Sequence, residues 1–350
     1  MIYERIKPLI FKMDPESAHS LVEYSLRSLN VIFPGALSFL AHRFIVQDES
    51  LRQNLLGLYF DNPVGLAGGF DKNATMIRPL SALGFGFLEF GTFTPKAQEG
   101  NEKPRVFRLV KQESIQNAMG FNNKGAKEIR SNLVKIYPFV LPLGANIGKN
   151  KNSENALEDY FILLREFKDL CDYFIINISS PNTKNLRSLQ NHTFLNDLLS
   201  EAKKITQKPI LIKIAPDLDI SLAIDLCQKA IENGASGFVI ANTSTDYSLL
   251  DNGRTFGGIS GKLIQEKNGK FFKELAKELF SHTILISCGG IDSGKEAYER
   301  IKNGANLIQI FTALIYKGPA LVRNINQELL TLLREDGFMH ISEAVGVNIK

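Results

Sequence analysis

The sequence has little cysteine and histidine, and neither is arranged as a metal site requires. Its three cysteines, Cys171, Cys227 and Cys288, are odd in number and lie far apart in apolar stretches. This usage predicts buried thiols in a reducing compartment instead of a disulfide framework. None of the five histidines pairs with another at the spacing of two ligands on one helical face. We therefore expect no metal site.

Long apolar runs, strong net charge and low-complexity tracts are also missing. No segment reaches the roughly 18 uncharged apolar residues of a membrane-spanning helix. Residues 1–12 alternate charged and apolar side chains, which is not the pattern of a secretory signal. A net charge of +4 on 350 residues is too dilute to predict nucleic-acid binding. The chain is expected to fold as a globular protein, and any contact with a membrane would be peripheral.

The first 45 residues form a region of their own. Apolar residues recur at helical spacing in residues 1–12, and the Asp14–Pro15 pair is a start signal for a second helix. Residues 31–45 then add many apolar side chains around Pro34 and Gly35. We expect residues 1–45 to be a helical extension whose apolar faces are covered by an apolar partner.

From residue 61 the pattern changes to short apolar runs that alternate with longer amphipathic stretches, which is typical of a parallel sheet. Eight candidate strands can be counted, at residues 64–68, 86–91, 141–147, 173–179, 209–215, 237–242, 283–288 and 306–310. Eight is the number of strands that closes a barrel. An open doubly wound sheet is the alternative, but the first strand lacks its Gly-x-Gly-x-x-Gly turn. The predicted fold is α/β, a (β/α)8 barrel over residues 46–350.

Polar residues end each predicted strand, where a barrel carries its active site. Asparagines dominate this rim: Asn117, Asn146, Asn177, Asn182 and Asn242. Each amide offers a donor and an acceptor, which suits a flat ligand edged with ring amides and carbonyls. Any single asparagine could equally be a helix cap or a turn residue. Five on one rim favour a binding site.

Small residues follow the last three predicted strands. They occur at residues 257–261 after the sixth strand and at residues 287–291 after the seventh, and Thr312 follows the eighth. Loops at these places in barrels often bind phosphate through backbone N–H groups, so we expect a phosphorylated ligand or cofactor. Isomerases and aldolases use such sites too, so the glycines alone leave the reaction open.

Taken together, these segments resemble the dihydroorotate dehydrogenase family over nearly the whole chain. The motifs that carry the resemblance are NPVGLAGGFDK at 62–72, NAMGFNNKG at 117–125, NIGKN at 146–150, NISSPNT at 177–183, KIAPD at 213–217 and CGGI at 288–291. The resemblance implies flavin mononucleotide (FMN) as cofactor. It also implies oxidation of dihydroorotate to orotate in pyrimidine biosynthesis.

The resemblance also assigns residues to each ligand. FMN is expected against Gly68, Gly69, Phe70, Asp71, Lys72, Thr92, Asn146, Asn177, Lys213, Ala241, Gly261, Gly290, Phe311 and Thr312. Substrate is expected against Lys72, Asn117, Ala118, Met119, Gly120, Phe121, Asn177, Asn182, Asn242 and Thr243. Lys72 would pair with the substrate carboxylate, and Lys213 with charge on the reduced flavin. Ala241 and Phe311 depart from the family pattern, in which Thr and Tyr are common.

The family divides by its catalytic base, and Ser180 occupies that position here. Serine is typical of the membrane-associated members that reduce a quinone and carry an N-terminal helical extension, whose opening motif resembles DPESAH at 14–19. The resemblance therefore implies a peripheral protein on the cytoplasmic face of the inner membrane. Residues 1–45 would form the access route for the quinone, and His19 and Arg108 would line it. Thr183, with a water beside Phe121, would relay the proton from Ser180.

Two other functions stay open at this stage. A phosphate-binding barrel without redox chemistry, such as an isomerase, would account for the late glycines. A peripheral membrane module, with the barrel as scaffold, would account for the helices but leave the polar rim unexplained.

Overall fold

The structure is a computed structural model that describes residues 2–251 and 253–349. Three helices open the chain: α1 (Ile2–Ile10), α2 (Pro15–Ile32) and α3 (Pro34–Phe44). The Asp14 side chain caps α2 by accepting from the N–H of Ser17 at 3.0 Å, and proline stands at the first turn of both α2 and α3. The predicted helical extension is therefore present from residue 2 onward; Met1 lies outside the described residues.

The strands are β1 (Gln53–Leu55), β2 (Leu58–Phe60), β3 (Val64–Asp71), β4 (Phe87–Phe93), β5 (Val106–Leu109), β6 (Ser114–Asn117), β7 (Leu143–Ile147), β8 (Tyr173–Asn177), β9 (Ile210–Ile214), β10 (Gly237–Ile240), β11 (Gly258–Gly261), β12 (Ile284–Cys288) and β13 (Leu307–Ile310). Within the described residues, eight of them close a parallel barrel in the order β3-β4-β7-β8-β9-β10-β12-β13. The predicted (β/α)8 barrel is confirmed.

The remaining helices are α4 (Ile77–Ser81), α5 (Ala126–Val134), α6 (Ala156–Phe167), α7 (His192–Ile205), α8 (Ile220–Glu232), α9 (Gln265–Leu279), α10 (Gly294–Lys302), α11 (Thr312–Lys317), α12 (Leu321–Glu335) and α13 (Ile341–Ala344). Single 3-10 turns lie at Glu49–Leu51, Val110–Gln112, Arg187–Leu189, Tyr247–Leu249 and Lys262–Ile264. Asn155, Asn191, Asp219 and Ser293 cap α6, α7, α8 and α10 with side-chain oxygens. These caps define where each helix begins after its strand.

Two apolar layers hold the barrel together. The outer layer lies between strands and helices, and the strands β4, β7, β8 and β9 are buried along their full length, as expected where helices cover a parallel sheet. The inner layer fills the barrel with side chains such as Phe87, Ile175 and Leu211. The β1–β2 hairpin, which the sequence analysis did not predict, brings Phe60 against Phe87 with ring centroids 5.5 Å apart.

A small antiparallel sheet, β11-β6-β5, accompanies the barrel. The register pairs Gly258 with Asn117 and Gly261 with Ser114. The sequence pattern predicts a loop at residues 257–261, whereas residues 258–261 form an edge strand. This pairing brings the glycine segment beside the loop that begins at Asn117.

The three cysteines are free and buried, as the sequence analysis expected. Among the described residues, no group of acidic, histidine or cysteine side chains is arranged to hold a metal ion. No helix in the described part of the chain is long and apolar enough to cross a membrane.

Candidate active site

A cavity of about 890 Å³ lies at the carboxyl ends of the barrel strands and continues between the N-terminal helices. Its wall includes most of the predicted site residues: Gly68, Gly69, Phe70, Asp71, Lys72, Thr92, Asn117, Met119, Gly120, Phe121, Asn177, Ser180, Asn182, Lys213, Ala241, Asn242, Thr243, Gly261, Gly290, Phe311 and Thr312. Three predicted residues, Ala118, Asn146 and the relay candidate Thr183, are buried but do not line it. The fold thus brings together residues that are 244 positions apart in sequence, from 68 to 312.

Thr92 and Asn177 form the floor of the cavity, and Asn146 supports them from the strand between theirs. Thr92 Oγ1 donates to Asn146 Oδ1 at 2.5 Å and accepts from Asn177 Nδ2 at 2.8 Å. Asn177 Nδ2 also lies 3.2 Å from Asn146 Oδ1. All three are buried. Each is held by the others, so the floor presents a fixed pattern of donors and acceptors.

Glu89 lies beneath this floor and was not predicted from the sequence. Its side chain is fully buried inside the barrel, and Oε2 accepts from Asn146 Nδ2 at 3.0 Å and from the N–H of Gly68 at 3.1 Å. Gln309 Nε2 donates to the other oxygen. A carboxylate only accepts, so it determines which end of the Asn146 amide faces it. A lone acidic residue inside an apolar strand was the signal that could have identified it.

A second amide cluster extends the floor toward Asn242. Its Nδ2 donates to Ser179 Oγ at 3.0 Å and lies 3.4 Å from Asn177 Oδ1. Asn242 Oδ1 accepts from the N–H of Thr243 at 2.8 Å. The Thr243 hydroxyl is buried and has no hydrogen-bond partner among the described residues. An unpaired buried hydroxyl is costly, so Thr243 is available to a ligand.

Two rim loops, residues 117–121 and 179–183, meet above this floor. Asn182 Nδ2 donates to Asn117 Oδ1 at 3.1 Å and joins one loop to the other. Phe121 is buried with φ at +55°, a left-handed conformation that non-glycine residues rarely adopt. A Cβ at Gly148 would lie 2.8 Å from the Phe121 ring, so Gly148 is needed for this ring to pack. The rim loops are therefore held in a specific arrangement.

Ser180 lies on the second rim loop and is 7% exposed. Its Oγ accepts from the N–H of Asn182 at 3.3 Å. The nearby Thr183 hydroxyl is buried and has no partner among the described residues. Arg187, which the sequence analysis missed, anchors this loop by donating to Ser179 O and Thr243 O, each at 2.9 Å.

Two lysines, Lys72 and Lys213, line the cavity. Lys213 is 4% exposed, and neither lysine side chain makes a hydrogen bond or ion pair with another described residue. Desolvation lowers the pKa of Lys72 to about 8, although the nearby carboxylate of Glu16 acts in the opposite direction. Two cations without carboxylate partners favour an anionic ligand.

Backbone N–H groups line the far side of the cavity. Those of Gly290 and Thr312 donate to no other described residue. Gly290 has φ at +82°, and a Cβ there would lie 2.3 Å from the Gln265 backbone, so glycine is required. Unpaired N–H groups around small residues suit the oxygens of a phosphate group.

The carboxylate of Asp71 is already bound by the protein backbone. Although Asp71 borders the cavity, its carboxylate accepts from the N–H groups of Thr75 at 2.9 Å and Met76 at 2.7 Å. Burial raises its pKa to about 6. The carboxylate therefore fixes the turn after β3, and only other atoms of Asp71 remain available to a cofactor.

His19 and Arg108 lie where the cavity passes between the helices and the barrel. The His19 ring packs edge-on to Phe70, with centroids 5.2 Å apart, and burial lowers its pKa to about 4, so it is neutral at pH 7. Arg108 donates to Met13 O at 2.7 Å and lies over the Phe11 ring at 4.9 Å. This passage is mostly apolar and connects the rim to the helices.

Comparisons with known proteins identify one family. A family model described as dihydroorotate dehydrogenase matches residues 50–333. A protein named dihydroorotate dehydrogenase (quinone) from a Nitratiruptor species is 54% identical over 352 residues and covers 100% of both chains. One of the same name from Helicobacter acinonychis (strain Sheeba) is 47% identical over 352 residues, with the same coverage.

Solved structures give the same result. A crystal structure of DHODH from Eimeria tenella in complex with ferulenol superposes with a TM-score of 0.85 at 34% identity, covering 96% of each chain. A ligand-free form from the same organism gives 0.84 at 33% identity and covers 90% of this chain and 98% of that one. The similarity therefore includes the N-terminal helices as well as the barrel.

Proposed function

We infer that this chain, which belongs to the dihydroorotate dehydrogenase family, oxidises (S)-dihydroorotate to orotate in de novo pyrimidine biosynthesis, with a flavin as prosthetic group and a quinone as electron acceptor. It is an oxidoreductase that acts on a CH–CH bond. The isomerase and scaffold alternatives are set aside, because neither accounts for the match over the full chain.

We propose that the flavin is FMN. The cavity has the groups that such a cofactor needs. The N–H groups of Gly290 and Thr312, which donate to no described residue, suit one phosphate, and the buried polar side chains of the floor suit the ring edge. Lys213 lies on the same wall and would meet negative charge on the ring. When bound, the flavin supplies the two-electron acceptor for a hydride and passes those electrons to the quinone.

Ser180 is the proposed catalytic base, which removes a proton from C5 of dihydroorotate as a hydride leaves C6. A serine is a weak base, so it needs desolvation and an outlet for its proton. Burial of Ser180 and the unpartnered hydroxyl of Thr183 support this role. Thr183, with a water held beside Phe121, is the proposed outlet.

The remaining rim residues would hold the substrate. Lys72 would pair with its carboxylate, because the Lys72 ammonium has no ion-pair partner among the described residues. Asn117, Asn177, Asn182, Asn242 and Thr243 would bind the ring amides and carbonyls. The neighbouring backbone of residues 118–121 would close the site.

Residues 1–45 are proposed to bind the lipid surface and admit the quinone, with residues 46–350 as the catalytic domain. Several large apolar side chains of the helices face solvent, and the passage beside His19 and Arg108 leads from them to the rim. The proposed location is the cytoplasmic face of the inner membrane, where the protein is attached peripherally.

The observation that carries these assignments is one cavity that combines a fixed polar floor with two lysine side chains unpaired among the described residues. The test is to purify the full chain and add dihydroorotate without oxygen. We expect a yellow protein with about one FMN per chain, bleaching on addition, and return of the colour when a quinone analogue follows. A folded, colourless preparation without nucleotide would overturn the FMN assignment.

A further inference from the structure

We propose that Glu16, Arg105 and Asn101 form a clamp through which the N-terminal extension holds the two rim loops in their binding arrangement. The proposal rests on the proposed function, since it takes those loops as the substrate site. Arg105 and Asn101 do not line the cavity, so they are positioning residues. The extension would then determine substrate affinity as well as quinone access.

The first link joins α2 to the barrel. Arg105 is 5% exposed, and its Nε and Nη2 donate to the Glu16 carboxylate at 3.1 and 2.8 Å. The side chain of Glu16 is 18% exposed. Forked pairs between a guanidinium and a carboxylate combine strength with fixed geometry, particularly when they are shielded from water.

The second link runs from Arg105 to the segment before it. Nη1 donates to Glu99 O at 2.6 Å and to Asn101 O at 2.7 Å. Glu16 is thus the side chain that pairs with the Arg105 guanidinium. The other hydrogen bonds of the guanidinium go to backbone carbonyls. Without Glu16, the guanidinium would lose its orientation, and with it the position of the 99–101 backbone.

The third link is Asn101, which bridges both rim loops. Its Nδ2 donates to Ala118 O and to Asn182 O, each at 3.0 Å, while its Oδ1 accepts from Lys151 Nζ at 3.0 Å. The lysine can only donate, so it determines the orientation of the amide. The Asn101 N–H also donates to Met119 O at 3.1 Å. One side chain therefore connects the loop of Asn117 with the loop of Ser180.

The rim loops depend on such a connection because their conformations are unusual. Gly120 and Phe121 both have positive φ, at +72° and +55°. A Cβ at Gly120 would lie 2.8 Å from the Asn101 side chain, so the two are packed without spare room. Gln98 Nε2 adds two hydrogen bonds of 3.1 Å, to Gly120 O and Phe121 O. Loss of the Glu16 pair should loosen the loops without unfolding them.

The test is orotate binding to the FMN-loaded full chain at about pH 6, measured from the change in flavin absorbance. At this pH Lys72, whose pKa of about 8 is influenced by Glu16, is protonated, so an effect of Glu16 on its charge does not contribute. Glu16→Gln keeps the size of the side chain and removes its charge. It should raise the Kd of orotate and the KM of dihydroorotate roughly fivefold to tenfold, at the lower end of couplings between linked sites. The KM of the quinone should change less, because the clamp acts on the rim loops. A structural defect would instead lower Tm and affect both substrates equally.

Two further variants complete the design. Glu4→Gln is the matched control, because Glu4 also pairs with a cation on the extension, Lys7 at 3.0 Å, but has no link to the rim loops. Asn101→Ala should weaken orotate binding, and its combination with Glu16→Gln should be no worse than the stronger single change, since both break one chain of contacts. If Asn101→Ala yields little folded protein, Glu16→Gln carries the test alone.

An unchanged orotate Kd in Glu16→Gln, an equal loss in Glu4→Gln, or multiplying effects in the double variant would each overturn the clamp while the proposed function stands. A wild-type protein that is yellow but does not bind orotate would overturn the proposed function, and the clamp with it.

Discussion

The N-terminal helices and the barrel use apolar side chains in opposite ways. In the barrel, every residue of β4 is buried, and the cores inside and outside the strands are closed to water. In the extension, Leu9 is 64% exposed, Tyr24 72% and Phe39 71%. Other apolar side chains of the same helices, such as Ile10 and Leu26, line the cavity.

The barrel therefore provides stability, whereas the extension provides access to the cavity. The barrel encloses its own core, whereas the helices cover the cavity with one face and leave another to solvent. The extension is attached at particular polar points: Glu23 accepts from Thr75 Oγ1 at 2.7 Å, and Arg108 donates to Met13 O. A region with these properties can meet a lipid surface while the chemistry stays in the barrel.

The largest expected effect is that of deleting residues 1–45. Quinone reduction and membrane binding should be abolished, because the passage beside His19 would lose one wall. Dihydroorotate should still bleach the flavin, since Ser180, Lys213 and the amide floor belong to the barrel. Its affinity should be lower because Glu16 is lost. The measurements are anaerobic flavin reduction, quinone turnover and co-sedimentation with vesicles.

Flavin content and Tm of the truncated protein are the controls for folding. A folded, flavin-loaded truncation with undiminished quinone turnover would contradict this division. The helices would then only cover the barrel.

Ser180→Ala tests the barrel side of the comparison. Flavin reduction by dihydroorotate should slow on the order of 10²–10⁴-fold, as for other lost general bases. Stopped-flow absorbance measures this step directly. FMN content, membrane binding and reoxidation by quinone should match the wild type, since Ser180 belongs to a barrel loop and not to the extension. Unchanged reduction kinetics would remove Ser180 from the role of base.

Glu89→Gln should loosen the floor of the cavity. Three donors, from Gly68, Asn146 and Gln309, converge on the Glu89 carboxylate, and an amide cannot accept from all of them. A buried donor left unpaired costs about 1–3 kcal/mol, so FMN should bind roughly tenfold to a hundredfold more weakly. Reconstitution of the flavin-free protein measures this Kd. Normal FMN affinity would show that Glu89 does not orient Asn146.

The pH dependence of kcat/KM for dihydroorotate should be determined by Lys72 in the barrel and by Glu16 in the extension. Burial lowers its pKa to about 8, and the negative charge of Glu16, on the extension, acts to raise it. The ammonium form binds an anion and is lost as pH rises through 8, so kcat/KM for dihydroorotate should fall about tenfold per pH unit above that value. Glu16→Gln should move this fall to lower pH. A flat profile from pH 7 to 9.5 would contradict the assigned role.

The architecture was accessible from the sequence because barrel strands are buried on both faces. All eight predicted strands are present, and boundaries such as 141–147 against the observed Leu143–Ile147 differ by a few residues. The β1–β2 hairpin and the strands β5, β6 and β11 were missed, because three or four residues are too few to show alternation. Pairing partners, not local pattern, determine such strands.

The site was only partly predictable. The amides at strand ends could be identified, since the barrel positions strand ends on one rim. Glu89 and Arg187 were missed because a charged residue inside a strand or a loop has meaning only through its partners. The contact of Arg105 with Glu16 joins residues 89 positions apart and leaves no local pattern. That Asp71 uses its carboxylate on the backbone of Thr75 and Met76 was likewise not evident from the sequence.

The smallest expected effect is that of salt on membrane binding. Residues 1–45 hold five basic and four acidic side chains, so attraction to anionic lipid should be weak. The exposed apolar side chains, such as Tyr24, Phe33 and Phe39, should provide the binding energy by insertion. Binding to vesicles should therefore change less than about twofold between low and high salt, because a screening length of roughly 3 Å at 1 M affects only charge.

Detergent should release the protein from the same vesicles, and Phe39→Ser should weaken binding more than Arg43→Gln does. The two changes lie in one helix, α3, and differ in whether they remove apolar area or charge. Release by salt alone, or a larger loss in Arg43→Gln, would show that the extension is held electrostatically. The extension would then not be an apolar membrane-binding region, although the barrel would still enclose its own core.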